Sequence, residues 1–155
     1  MANNGQNYNG NSYADKREYV HKDKLTKQNY VDEADKVMKS LADSKSLTST
    51  SKLRNILSMV SEIRTDAQRG RDKKLDDDMQ SRVQYLKMRI AYEVGRDPDK
   101  NPKKNKKGKI EKFVENAGLI EEISNIGSDR DNLLLFCDYM EALTAYHKFH
   151  GGKEN

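Results

Sequence analysis

The chain has 155 residues, with 29 lysines and arginines against 25 aspartates and glutamates, and 34% hydrophobic side chains, enough for one modest core under a very polar surface. Cys137, the single cysteine, lies inside an apolar helical pattern, which excludes a disulfide framework and a cysteine-based zinc site. No stretch is apolar enough to span a bilayer and the N-terminus has no hydrophobic signal core, so a cytoplasmic location is expected, and a net charge of +4 requires any nucleic-acid affinity to come from local clustering of basic residues.

Residues 1–30 are rich in Asn, Gly, Lys and Tyr and poor in aliphatics. They cannot bury enough surface to offset the cost of ordering and read as a disordered polar tail. Tyr8, Tyr13, Tyr19 and Tyr30 lie among basic residues, as bases to be stacked upon would want, or as a merely solvated tail would have them. Residues 31–150 read as a single domain. Val31, Ala34, Val37, Met38 and Leu41 mark a short first helix, and a polar linker follows from Asp43 to Ser51.

The second helix runs from near Ser51 to about Gln68. Leu53, Ile56, Leu57, Val60, Ile63 and Ala67 form its apolar stripe, the hydroxyls of Thr48 to Ser51 supply caps, and Gly70 ends it. Lys52, Arg54 and Asn55 stand at its beginning. Unpaired backbone N–H groups, hydroxyls and two cations at a helix start attract phosphate; an ordinary capped helix with solvated basic residues has the same sequence.

Asp76, Asp77 and Asp78 open the third helix, which extends to about Val94 with Met79, Val83, Leu86, Ile90 and Val94 towards the core. Beside that face runs a second line: Arg82, Tyr85, Arg89, Tyr92 and Arg96, spaced so that all five share one side. Guanidinium forks grip phosphate bidentately and tyrosines add a donor or a stacking face. Equally, the tyrosines could fill the edge of the core while the arginines pair with acids such as Glu93.

Gly95 to Pro98 stop this helix, and residues 97–109 read as a mobile loop carrying Lys100, Lys103, Lys104, Lys106, Lys107 and Lys109. Residues 110–126 give one broken or two short helices interrupted at Gly118, with Gly127 as C-cap. Ser128 and Asp131 resemble a capping box for the last helix, about Asp129 to Phe149. Its apolar residues, among them Leu133, Leu135, Phe136, Tyr139, Met140, Ala142, Leu143 and Tyr146, cover more than half the wheel, so it is expected to be central and contacted on two sides. Residues 151–155 are a tail. Nothing reads as a strand: the expected fold is all-α, a small helical bundle of about five helices with a disordered N-terminal tail.

Catalytic signatures are weak. His147 and His150, with Asp138 and Glu141 upstream, lack the remaining ligands of a zinc site. Asp76–Asp78 would suit a metal-dependent nuclease, but three consecutive acids point in different directions on a helix and suit a helix start better. There is no Gly-rich phosphate loop, no GxSxG and no Cys–His pair, so neither an enzyme nor a cofactor is expected.

Four stretches in order resemble one family: Thr50–Asn55; Tyr85–Arg89 with Tyr92–Arg96; the Phe113-Val114 region; and Tyr139–Gly152. The chain is similar, over about Leu47 to Gly152, to the small subunit of the type III-A CRISPR effector, the Csm complex. The resemblance implies a non-catalytic helical bundle that stacks head to tail in several copies as the inner filament of the effector. There it lies along the guide RNA–target RNA duplex and grips mainly the backbone of the target RNA. The partners implied are the backbone and large subunits, and the cutting belongs to them. Basic residues that match the family pattern are Lys52, Arg54, Arg89 and Arg96, and beyond them Lys87 and Lys148. Lys87 lies off the stripe, as a pairing residue would. With Asn55, Arg82 and Tyr85 from the helical spacing, the expected RNA-binding set is Lys52, Arg54, Asn55, Arg82, Tyr85, Arg89, Arg96 and Lys148. The tail before Leu47 and the lysine-rich loop depart from the family pattern. A helical protein–protein adaptor whose basic residues meet acidic partners is the competing reading.

Overall fold

The computed structural model describes residues 18–154. Among these residues six α-helices make up the fold: α1 (Tyr30–Asp43), α2 (Thr50–Arg69), α3 (Asp77–Arg96), α4 (Lys109–Ala117), α5 (Leu119–Ile126) and α6 (Arg130–Phe149), with a 3₁₀ turn at Pro102–Lys104. The fold is the all-α bundle expected, and the stretch from Lys109 to Ile126 is two short helices. Gly118 divides them in a left-handed conformation (φ 66°), and a side chain there would press on the carbonyl of His21 at 3.1 Å.

α6 is central. It packs on α1, α2 and α5 through Leu133, Phe136, Met140 and Leu143, all fully buried, while Tyr139 sends its hydroxyl to the carbonyl of Ala117 at 2.7 Å. Cys137 lies in the same core, and burial pushes its thiol pKa up to about 12, which makes it inert.

Several boundaries differ from the sequence expectations for local reasons. Ser49, one residue before Thr50, caps α2 by accepting from the Lys52 N–H. Asp129, not Ser128, caps α6 through the Asn132 N–H. Gly70 is extended, not left-handed; what it provides is room for Arg130, whose guanidinium caps the end of α2 at the Ala67 carbonyl (2.7 Å). On α1, Val31 faces outward and Glu33 inward.

Glu33 is inward because of the segment before α1. The expected disordered tail falls in part on residues 1–17, which lie outside the described residues, but residues 18–29 are packed. His21 and Leu25 are buried, Tyr19 N–H bonds to Ser40 Oγ, and His21 N–H bonds to the Asn116 carbonyl. The His21 ring bridges two buried carboxylates, with Nδ1 to Glu33 and Nε2 to Glu122, each at 2.6 Å, and Tyr19 donates to Glu33 as well. Burial by itself disfavours the imidazolium, but the bonds to Glu122 and Glu33 outweigh it and raise the His21 pKa. A composition too polar to fold alone is therefore ordered by one neutralised ionic cluster.

The 97–109 loop is likewise built, not loose. Asn101 and Lys106 exchange two backbone hydrogen bonds of 2.9 Å around the 3₁₀ turn. Asp97 is buried and accepts from the N–H groups of Ile110 (2.9 Å) and Asp99 (3.1 Å) and from Lys52 Nζ (3.2 Å). Burial works against its charge; those donors more than compensate and hold its carboxyl below its ordinary value. Gly108 lies against the same carboxylate, where a Cβ has no room.

Candidate nucleic-acid interface

α3 turns Met79, Val83, Leu86 and Ile90 inward, and the spacing then forces its second line to the surface. Tyr85, Met88 and Tyr92 are 56%, 57% and 54% exposed, so none fills the core edge. Arg89 and Arg96 flank Tyr92 with their guanidinium carbons 5.1 and 5.7 Å from its ring centre. Both also reach the buried Glu93, at 3.8 and 3.0 Å. The two sequence readings of the arginines thus coexist. Glu93 orients the guanidiniums from below, while Tyr92 holds them on the surface. Two arginines share one carboxylate, so the group keeps a positive excess and unused donors.

Arg82, at the far end of this line, is half-buried, as Arg89 is, and is tied across to Asp66 of α2. Met88 was missed from sequence; its position three residues after Tyr85 and four before Tyr92 is the signal that places it on this surface. Lys87 lies off the line, as expected, and reaches Ser124 Oγ at 3.5 Å.

The start of α2 differs from its expectation. Its N–H groups are not unpaired: Thr50 N–H bonds to the Lys153 carbonyl (2.7 Å) and Ser51 N–H to the Glu154 carbonyl (3.4 Å). The C-terminal segment is delivered there because His147 donates to the Thr48 carbonyl (2.6 Å) and Gly152 packs on the His147 ring. Lys52 turns to Asp97 and Asp99, whereas Arg54 is exposed and reaches only Glu154 at 3.6 Å. Asn55 is exposed. Lys52, Arg54 and Asn55 therefore divide into one anchoring lysine and two surface residues. Lys148 is exposed on the last turn of α6, beside this junction. Nothing in the sequence signals that Asp97, Lys153 and Glu154 meet the start of α2, since the residues they touch there lie 45 or more positions away.

The acids upstream of the two histidines serve ion pairs: Asp138 and Glu141 both hold Arg64 of α2, and His150 bonds to Asp35 of α1. Asp76 caps α3 through the Met79 N–H (2.8 Å), with Asp77 and Asp78 in the first turn. Among the described residues no group of three or more His, Cys, Asp or Glu is arranged to hold a metal ion, and no helix is long and apolar enough to cross a membrane.

The described residues form a small six-helix bundle whose polar surface carries an arginine–tyrosine line. The family model described as Csm2 Type III-A matches residues 24–153. Relatives described as CRISPR system Cms protein Csm2 include one from Streptococcus thermophilus, 35% identical over 133 residues, covering 84% of this chain and 98% of the relative. Another, from Mycobacterium tuberculosis, is 37% identical over 105 residues, covering 68% and 77%. The chain belongs to the Csm2 family of type III-A CRISPR systems.

Proposed function

We propose that this chain is the non-catalytic small subunit of a type III-A CRISPR ribonucleoprotein, stacking in several copies along the guide–target duplex and gripping target RNA by its backbone. The observation that carries the reading is the surface line Tyr85, Arg89, Tyr92 and Arg96 on one helix, with Arg89 half-buried and the other three exposed. Four large side chains stand outside the core there, with guanidiniums oriented by Glu93 and Tyr92 and with donors to spare. A subunit that serves every target must hold sugar–phosphate and not base edges, because guide pairing reads the sequence. Arginine and tyrosine on a helix face are suited to that. Such a subunit works in the cytoplasm beside the backbone and large subunits.

The test is reconstitution of the effector with Arg89→Ala/Arg96→Ala protein. Assembly on guide RNA should proceed, and capture of target RNA should weaken alike for every target sequence. Failure of the variant to enter the complex would make the line a protein interface and put the adaptor reading first.

A further inference from the structure

The lysines around the 97–109 loop have no place in the contacts above, yet the fold gathers them with others into one trough. Lys45, Lys106, Lys109 and Lys112 line a cleft of about 540 Å³ between the end of α1, the loop and the start of α4. Lys45 and Lys109 continue into an adjoining cleft of about 550 Å³ that reaches Lys52 and Lys153 at the start of α2. Lys52 is held by Asp97 and Asp99, and Lys112 by Glu18 at 3.4 Å. Lys45, Lys106, Lys109 and Lys153 have no acidic partner within ion-pair distance among the described residues, and Asp99 is the one acid lining either cleft.

Each cleft is lined by three unpaired lysines, Lys45 and Lys109 being common to both, and like charges gathered on concave walls raise the local potential. The loop that presents Lys106 and Lys109 is held by the buried Asp97 and the paired Asn101–Lys106 turn, so these two are not on a freely solvated insertion. Lys45 itself sits in the left-handed region (φ 57°), which lysine rarely adopts. A chain of phosphates would relieve the repulsion at several points at once. Lysines act as point charges towards phosphate, and apart from the His150 imidazole no ring lines the trough for a base to stack on. We propose that this trough is a second nucleic-acid site, separate from the α3 line, which takes the sugar–phosphate backbone of a single strand. It rests on the RNA-binding reading for its setting, but not for its chemistry.

The experiment compares full-length wild type, Lys45→Asn/Lys106→Gln/Lys109→Gln and Arg89→Ala/Arg96→Ala on a labelled mixed-sequence RNA strand and its DNA equivalent, across salt. Asn tolerates the left-handed conformation, and all three lysines are exposed, so melting should be preserved. The pair Lys106→Gln/Lys109→Gln serves if the triple variant melts early. The trough variant should bind both strands about tenfold more weakly, and its log Kd against log salt should flatten by about 2, roughly 0.7 for each lost contact. Unchanged affinity and slope for the trough variant, with loss in the α3 variant, overturn the trough and leave the proposed function standing. Loss in the trough variant alone keeps the trough and removes the α3 line. No change in either removes both. Loss confined to the RNA strand would overturn a phosphate-only site.

Discussion

Arg89 shows how one side chain acquires two neighbours and a use. Glu93 lies one turn on and is buried, and Tyr92 stands beside it in the open, so the guanidinium is oriented without being consumed. Arg89→Ala should weaken target RNA binding by about 1–3 kcal/mol for every sequence and leave helical content intact, as read by filter binding and circular dichroism. Lys52 and Arg54 separate on the same test. Lys52→Glu would put a third carboxylate beside Asp99 and against the buried Asp97, so it should lower the melting temperature. Arg54→Glu faces only exposed Glu154 and should melt like wild type. Equal melting of the two variants would show that Lys52 does not anchor the loop. Glu154→Gln frees Arg54 from its acid, and generic RNA binding of the protein should tighten modestly at low salt.

Among the elements, α6 organises the rest. Its wide apolar face explains why it contacts α1, α2 and α5 together, and Leu143 lies fully buried within that face. Leu143→Ala should cost roughly 2–5 kcal/mol in chemical denaturation, through lost burial and a cavity. The partly buried Leu135 should cost less on the same change. The end of α6 also sets the start of α2: the turn at Gly151 and Gly152 brings the carbonyls of Lys153 and Glu154 onto the first N–H groups of α2. One helix's end satisfies another's beginning, as exposed water would otherwise have to.

At the scale of the whole molecule, stability should follow pH through the buried ionic cluster. The His21 pKa is raised, so its contribution is complete below the ordinary value of 6.5 and is lost as pH rises through the folded value. For Glu33 burial works against the charge, but the bonds from His21 and Tyr19 lower its pKa overall. Its contribution is complete above 4.5 and is lost as pH falls through the folded value. Melting temperature should therefore be highest between about 4.5 and 6.5 and decline on both sides. His21→Gln should lower that maximum and flatten the alkaline decline. An unchanged profile would show that the segment before α1 adds nothing to the fold.

The sequence by itself determined most of the helices, their inward faces and the alignment of the α3 line along one side, because apolar spacing and capping residues act over a few residues of chain. Leu53, Ile56, Val60, Ile63 and Ala67, and Met79, Val83, Leu86 and Ile90, are buried as their periods require, with Leu57 half-buried at the edge of its stripe, and Tyr85, Arg89, Tyr92 and Arg96 are at the surface for the same reason. Only the tertiary structure decided which polar groups meet. Composition made residues 18–29 look unfoldable, and two carboxylates from other elements, Glu33 and Glu122, hold Tyr19 and His21 in place. Six lysines made the 97–109 loop look mobile, and a buried aspartate anchors it to a lysine 45 residues earlier. The helix start that looked open to phosphate is filled by backbone from the other end of the chain. Hydrophobic burial is legible locally because it needs only a face. Hydrogen bonds and ion pairs need a specific partner, and the fold supplies it from far along the sequence.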